Sequence, residues 1–179
     1  VLQLVDSQGE VVREWESGES PEQFTRLPAG TYLLVEVFAP AGYLRAADLA
    51  FSVRDTGELQ QVELPNDYTK LEISKIQEAD GSFLPGASLQ LLEENGQVLY
   101  EWVSGDRPAI LEFLEPGNYV LHESKAPDGY SLAEDISFTL EETGEWQKVV
   151  MKNRARGTIT GNYENGKESR NVKTGDSVS

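Results

Sequence analysis

The feature that most constrains the fold of this chain is a long internal repeat. Residues 1–66 align with residues 88–153 at a constant offset of 87 positions, without an insertion or a deletion. The identical pairs include Trp15 and Trp102, Gly30 and Gly117, Glu36 and Glu123, Pro40 and Pro127, Tyr43 and Tyr130, Gly57 and Gly144, and Asn66 and Asn153. Solenoid repeats have periods of roughly 20–50 residues. This longer repeat therefore predicts two tandem copies of a whole domain.

Each domain would be small for burying a core without help. Domains of about 80 residues usually depend on a staple such as a disulfide or a metal. The 179 residues contain no cysteine and a single histidine, His122, which excludes a disulfide and a histidine-based metal cluster. We expect no metal and no cofactor, so any staple must have a different chemistry.

The charge of the chain limits its partners. A formal net charge of −16 would repel nucleic acid phosphates and anionic lipid surfaces. No apolar run approaches the ~18 residues of a membrane span, so we expect no span in this fragment. An acidic surface is typical of a soluble, exposed protein.

The hydrophobic pattern has a period of two residues throughout, which is typical of β-strands. The predicted strands are YLLVEVFAP, LAFSVRD, LQQVELP, KLEISKI, SLQLLEENGQVLYEW, YVLHES, DISFTL and QKVVMKN. Turn residues separate them, and the Asn-Gly of ENGQ predicts a hairpin with a type I′ turn. The sequence therefore predicts an all-β protein with two tandem antiparallel, Ig-like β-sandwich domains.

The repeat also sets the domain boundaries. We expect a first domain at residues 1–67, a second at 68–154 and a polar tail at 155–179 that serves as a linker. The second domain opens with an additional strand and loop, residues 68–87, which have no counterpart because Val1 aligns with Ser88. We therefore expect a fragment whose first domain lacks its N-terminal strand.

Three predicted strands of the second domain end an inward apolar stripe with a polar residue. Alternation places Lys75 after Leu71 and Ile73, and Glu123 after Tyr119 and Leu121. Asn153 follows Val149 and Met151 in the same way. The first domain repeats two of the stripes, as Tyr32, Leu34 and Glu36, and as Val62, Leu64 and Asn66.

A buried lysine beside a buried glutamate could react with an asparagine. Burial lowers a lysine pKa and raises a glutamate pKa, and a neutral amine is a nucleophile. A protonated glutamic acid can polarise the carboxamide carbonyl and give a proton to the departing ammonia. The product would be an intramolecular Lys–Asn isopeptide bond. The alternative is that Lys75, Glu123 and Asn153 lie at solvated strand ends and do not react.

Several segments resemble the B-type domains of collagen adhesins and pilins of Gram-positive bacteria. The matching segments are ISKIQEADGSFLPGASLQL, LEPGNYVLHESKAPDGY and VVMKN in the second domain, with LPAGTYLLVEVFAPAGY and VELPN in the first. The resemblance implies transthyretin-like β-sandwiches in which Lys75 joins Asn153 and Glu123 is the catalyst. Lys70 is an alternative nucleophile. In the first domain, Glu36 and Asn66 match, and their partner lysine is expected upstream of the fragment.

The same resemblance implies a function outside the cell. We expect a non-enzymatic stalk module of a cell-wall-anchored adhesin or pilin, with other domains of the same surface protein or pilus as partners. The tail segment NVKTGD resembles a sortase signal, which would be cut between Thr174 and Gly175; a plain linker is the alternative. A competing function is a module without a cross-link that binds a host matrix protein or glycan, through exposed loops or through Trp15 and Trp102.

Overall fold

The computed structural model describes residues 1–157, and these residues form β-strands and no helix. The first domain contains β1 (Leu2–Val5), β2 (Val11–Trp15), β3 (Gly30–Glu36) and β4 (Leu49–Val53). The second domain contains β5 (Lys70–Gln77), β6 (Ser88–Glu93), β7 (Val98–Val103), β8 (Ala109–Glu112), β9 (Gly117–Lys125), β10 (Ile136–Leu140) and β11 (Trp146–Asn153). The all-β prediction is confirmed. A helix able to cross a membrane is absent from these described residues.

The second domain is a sandwich of two sheets. One is antiparallel, with the strand order β10-β9-β6-β7. The other has the order β11-β5-β8, in which β5 pairs parallel with β11 and antiparallel with β8. The core between them consists of Leu71, Ile73, Ala87, Leu89, Leu91, Leu114, Tyr119, Leu121, Leu140 and Met151. Alternate residues of β5, β6 and β9 therefore face one apolar layer, as the period of two predicts.

The first domain contains only one sheet in its described residues. Its order, β2-β1-β3-β4, reproduces the order β7-β6-β9-β10 of the second domain. Counterparts of β5, β8 and β11 are not present among residues 1–66. This agrees with the expectation of a first domain without its N-terminal strand.

The predicted strand at LQQVELP, residues 59–65, is wrong. Its counterpart β11 takes its ladder hydrogen bonds from β5, and residues 1–66 supply no counterpart of β5. Without a neighbouring strand, the backbone there has nothing to pair with. The predicted inward stripe fails with it, because Val62 is 38% exposed and Leu64 and Asn66 are only half-buried.

The hairpin predicted at ENGQ is confirmed, but its turn type is wrong. Gly96 has a φ of +87°, whereas Asn95 does not have a positive φ, which a type I′ turn requires. The Gly96 N–H donates to the Glu93 carbonyl at 2.9 Å, and the β6–β7 register shifts between Leu91 and Leu92. A three-residue loop with a left-handed glycine at its end produces such a bulge.

Candidate cross-linking site

Three strands from both sheets bring Lys75, Glu123 and Asn153 together at one end of the sandwich. Lys75 is 3% exposed, Glu123 0% and Asn153 1%, so all three side chains lie inside. The parallel register pairs Lys75 with Met151, which places Asn153 two residues further along β11 on the same inward face. The predicted inward direction of all three stripes in this domain is confirmed.

The Lys75 amine is in contact with the Glu123 carboxylate. Nζ of Lys75 lies 2.9 Å from Oε1 of Glu123. The two groups are an ion pair by distance, but Nζ makes no well-aligned hydrogen bond with any group of residues 1–157. Burial lowers the pKa of the Lys75 amine below its usual value of 10.5, and the contact with Glu123 opposes part of this shift. Burial therefore favours loss of a proton from Nζ, and the carboxylate of Glu123 is the acceptor in contact with it.

The carboxamide of Asn153 is oriented by two acceptors. Nδ2 donates to both carboxylate oxygens of Glu123, at 2.8 and 3.1 Å, and to the Ser131 carbonyl at 2.7 Å. An oxygen in the place of Nδ2 would face these acceptors without a proton, so the network fixes which atom is nitrogen. Glu123 therefore faces the nitrogen that would leave as ammonia.

The carbonyl oxygen of Asn153 differs from the sequence-based expectation. Oδ1 is buried and has no hydrogen-bond partner among the described residues. Polarisation of this carbonyl by Glu123 is therefore not what the geometry shows. An unsatisfied buried oxygen leaves the carboxamide without the hydrogen bonds that would stabilise its ground state.

Backbone groups of the loop after β9 complete the site. The Ala133 N–H donates to Oε2 of Glu123 at 2.6 Å, and the Ser131 carbonyl accepts from Asn153. Neither residue was predicted to belong to the site, because backbone groups carry no side-chain signal. The repeat could have identified them, since the loop has the same length in both domains.

The first domain builds half of the same site. Nδ2 of Asn66 donates to Oε2 of Glu36 at 2.6 Å and to the Leu44 carbonyl at 2.8 Å. The Ala46 N–H donates to the same Oε2 at 2.6 Å. Each contact has its equivalent 87 positions later. Across residues 1–157 no lysine pairs with Glu36, and Arg45 contacts only its backbone carbonyl.

Lys70 does not lie at the site, so the alternative nucleophile is wrong. It begins β5, whereas Lys75 lies near the strand's end. Nζ of Lys70 contacts Oδ1 of Asp67 at 2.9 Å and donates to the Gly144 carbonyl at 2.8 Å. The hydrogen bond to Asp67 raises the pKa of the Lys70 amine, which keeps it protonated and not nucleophilic.

The remaining candidates pack against apolar side chains or lie outside the described residues. Trp102 packs against the core of the second domain, and Trp15 packs edge-on against Phe24 with ring centroids 5.4 Å apart. Thr174 and Gly175 lie outside the described residues. Within residues 1–157, acidic and histidine side chains do not form a group of three able to hold a metal ion.

The chain is similar to a known family and to several solved structures. A family model described as the SpaA prealbumin-like fold domain matches residues 1–68 and again residues 69–155. No curated protein matches the chain. The TIE protein of Bacillus anthracis is 29% identical, with a TM-score of 0.50, over 86% of this chain and 30% of that one.

Two solved pilin structures are also similar to the chain. BcpA, the major pilin subunit of Bacillus cereus, is 21% identical with a TM-score of 0.42, over 48% of this chain and 28% of that one. The shaft pilin SpaA of Lactobacillus rhamnosus GG is 16% identical with a TM-score of 0.44, over 72% and 64%. The chain thus spans less than two thirds of each of these proteins. Since the family model covers both domains, the chain belongs to the SpaA prealbumin-like fold domain family.

Proposed function

We propose that the chain is a structural stalk module of a cell-wall-anchored adhesin or pilin, stapled by an isopeptide bond between Lys75 and Asn153. The observation that carries this proposal is the buried contact of Lys75 and Asn153 with Glu123. A buried lysine and glutamate are costly to desolvate. A covalent product removes the charged amine and offsets that cost.

The reaction conserves atoms and protons as follows. The Glu123 carboxylate takes one proton from the Lys75 ammonium, and the neutral Nζ attacks Cγ of Asn153. Glu123 passes its proton to Nδ2, the Cγ–Nδ2 bond breaks and ammonia leaves. After the attack, Nζ gives a second proton to Glu123. The new bond is then a neutral amide with one N–H. Glu123 lies within contact distance of both nitrogens, as a proton shuttle requires.

The geometry of the strands makes this reaction intramolecular. Nucleophile and carboxamide are held on adjacent strands, and fixed reactants gain a high effective concentration, worth about 7–11 kcal/mol of barrier in favourable cases. The bond would close a loop across 78 positions of the sequence. If it acts like a disulfide, it stabilises the second domain by about 4–5 kcal/mol. It needs no oxidant and no cysteine.

The first domain would react in the same way with a lysine from outside the 179 residues. Glu36 would be its catalyst and Asn66 its electrophile, since they repeat the contacts of Glu123 and Asn153. Within the chain as given, one cross-link is therefore expected.

The stalk would be extracellular, and neighbouring domains of the same surface protein or pilus would be its partners. Attachment by a sortase at Thr174, next to Gly175, and an adhesive host ligand belong to the same proposal. Their support is the family membership and the tail sequence.

Intact-mass spectrometry tests the cross-link directly. The purified 179-residue chain should be lighter than its sequence mass by one ammonia. Glu123→Ala should restore the full mass, because the proton shuttle is lost. The matched control is Glu36→Ala, which removes the equivalent residue of the first domain and should leave the deficit of one ammonia unchanged.

Peptide mapping is needed to locate the loss. A succinimide at Asn95–Gly96 would also lose one ammonia, so the digest must show one species that joins the Lys75 and Asn153 peptides. A wild-type chain at its full mass would refute the cross-link. A deficit that persists in Glu123→Ala would refute the assigned catalyst.

A further inference from the structure

Three aromatic rings meet where the first domain joins the second. They belong to Tyr43 in the first domain, Tyr68 in the connecting segment and Phe113 in the second domain. The rings of Tyr68 and Phe113 are stacked with centroids 4.1 Å apart and an interplanar angle of 19°. The Tyr43 ring packs edge-on against both, with its centroid 5.3 Å from that of Phe113 and 6.4 Å from that of Tyr68. We name this cluster the aromatic joint.

A hydrogen bond connects the two domains at the same place. The Gly42 N–H donates to Oε1 of Glu115 at 3.0 Å. A Cβ on Gly42 would lie 3.0 Å from the Phe113 carbonyl oxygen, and Gly42 itself has a φ of +79°. A larger residue would separate the two backbones, so glycine permits this close approach.

Phe113 holds an uncommon backbone conformation at the joint. Its φ is 61°, in the left-handed region that non-glycine residues rarely adopt. Its N–H donates to the Thr69 carbonyl at 3.1 Å, which ties the loop to the connecting segment. Arg26, the equivalent residue of the first domain, has a φ of 63°. The conformation is therefore common to both copies, but only Phe113 presents an aromatic ring at a domain junction.

The connecting segment is short and is fixed from the other side as well. Only residues 67–69 separate Asn66 from the start of β5. Asp67 contacts Nζ of Lys70 at 2.9 Å and packs so closely on Gly144 that no Cβ would fit there. Nζ of Lys70 also lies 4.7 Å from the centre of the Tyr68 ring. The linker thus has little freedom to swing.

We propose that the aromatic joint fixes the two domains at one angle, so that residues 1–153 tumble and bend as a single stiff rod. Stacked rings, a cross-domain hydrogen bond and a three-residue linker restrain different directions of motion. The repeat does not create such a joint by itself. In the second domain, Tyr130 donates its hydroxyl proton to Gln77 at 2.6 Å, and alanine at 155 replaces Tyr68. The joint is therefore particular to this junction.

Backbone ¹⁵N relaxation and residual dipolar couplings of the whole chain test this proposal. In the wild type, the two domains should show one rotational correlation time and fit one alignment tensor. Phe113→Gly removes the ring and tolerates the left-handed backbone, so each domain should then show its own, shorter correlation time and its own tensor.

Arg26→Gly is the matched control, because it makes the same backbone change at the equivalent position outside the joint. It should keep the single correlation time. Tyr43→Ser provides a second break of the joint from the first domain, in case Phe113→Gly disturbs its own loop. Separate tensors in the wild type, or one common tensor in both joint variants, would overturn the proposal. The mass deficit should not change in any of these variants, so the outcome is independent of the cross-link.

Discussion

The two domains share one sequence pattern but differ in how completely they bury its glutamate and asparagine. Both hold the Glu–Asn pair by the same three kinds of hydrogen bond, from the asparagine to the glutamate and a loop carbonyl, and from a loop N–H to the glutamate. The second domain covers its pair with a second sheet. There Asn153 is 1% exposed, whereas Asn66 is half-buried.

This difference shows which contacts of the site form within one sheet and its loop and which are found where the second sheet is present. The pair forms from one strand, its following loop and the end of the domain, and it does not require the second sheet. Within residues 1–157, full burial of the asparagine and contact with a lysine are found in the second domain, where β5 is present. In the first domain the carboxylate and the carboxamide are thus hydrogen-bonded to each other without a lysine in contact. In the second domain Lys75 from β5 joins them, and the asparagine is more deeply buried.

The largest expected effect comes from replacing the equivalent core leucine in each domain. Leu121→Ala should lower the free energy of unfolding of the second domain by about 3–5 kcal/mol, the range for a closely packed site. The equivalent Leu34→Ala should cost the first domain less, about 2 kcal/mol, because Leu34 is 9% exposed and Leu121 is 0% exposed. Hydrogen exchange measured for each domain gives both values. Equal losses would show that the single sheet packs as well as the sandwich.

A smaller effect should appear as pH dependence when the cross-link is blocked. In Asn153→Ala, Lys75 stays a free amine whose pKa is lowered in the folded state by burial. Between that lowered pKa and 10.5, the unfolded chain binds more protons than the folded one, so the stability of the second domain should rise with pH. The slope is at most about 1.4 kcal/mol per pH unit. Urea unfolding at several pH values measures it.

The control for this slope is the double variant Lys75→Met with Asn153→Ala, which lacks the amine and should lose the slope. The first domain is an internal reference, since residues 1–66 contain no lysine. A slope that survives in the double variant would assign the pH dependence to another group.

The smallest expected difference between the two domains concerns their equivalent hairpins. Gly9 and Gly96 occupy the same hairpin position, with φ values of +86° and +87°, and an added Cβ would meet nothing within 4 Å at either. Alanine at each should therefore cost only the left-handed backbone, about 1–2 kcal/mol. Hydrogen exchange of each domain measures the two losses. Unequal values would mean that the hairpins are not equivalent.

Most of the second domain could be predicted from its sequence, because its inward stripes are regular. The alternation of apolar residues in β5, β9 and β11 is sufficient to predict the inward directions of Lys75, Glu123 and Asn153. Three strands were not predicted, namely β1, β2 and β8. The first and last have four residues each and β2 is mostly exposed, so alternation leaves little signal there.

The incorrect predictions have a common physical cause. The sequence of one strand does not show which strand pairs with it or which conformation the neighbouring loop adopts. Residues 59–65 have the composition of a strand, but their neighbour is missing from the described residues. Asn95 and Gly96 suit a type I′ turn in isolation, yet the loop includes one more residue and adopts a bulge. The orphaned Oδ1 of Asn153 and the contacts to Ser131 and Ala133 depend on a loop conformation that spacing does not encode.

The parallel pairing of β5 with β11 has a mechanical consequence of its own. The chain enters the second domain at Lys70 and leaves its last strand at Asn153, and these residues lie at opposite ends of one eight-residue ladder. Traction on the two termini would slide the strands past each other in shear. All the hydrogen bonds between them would then be strained at once, and none could be peeled apart singly from an end.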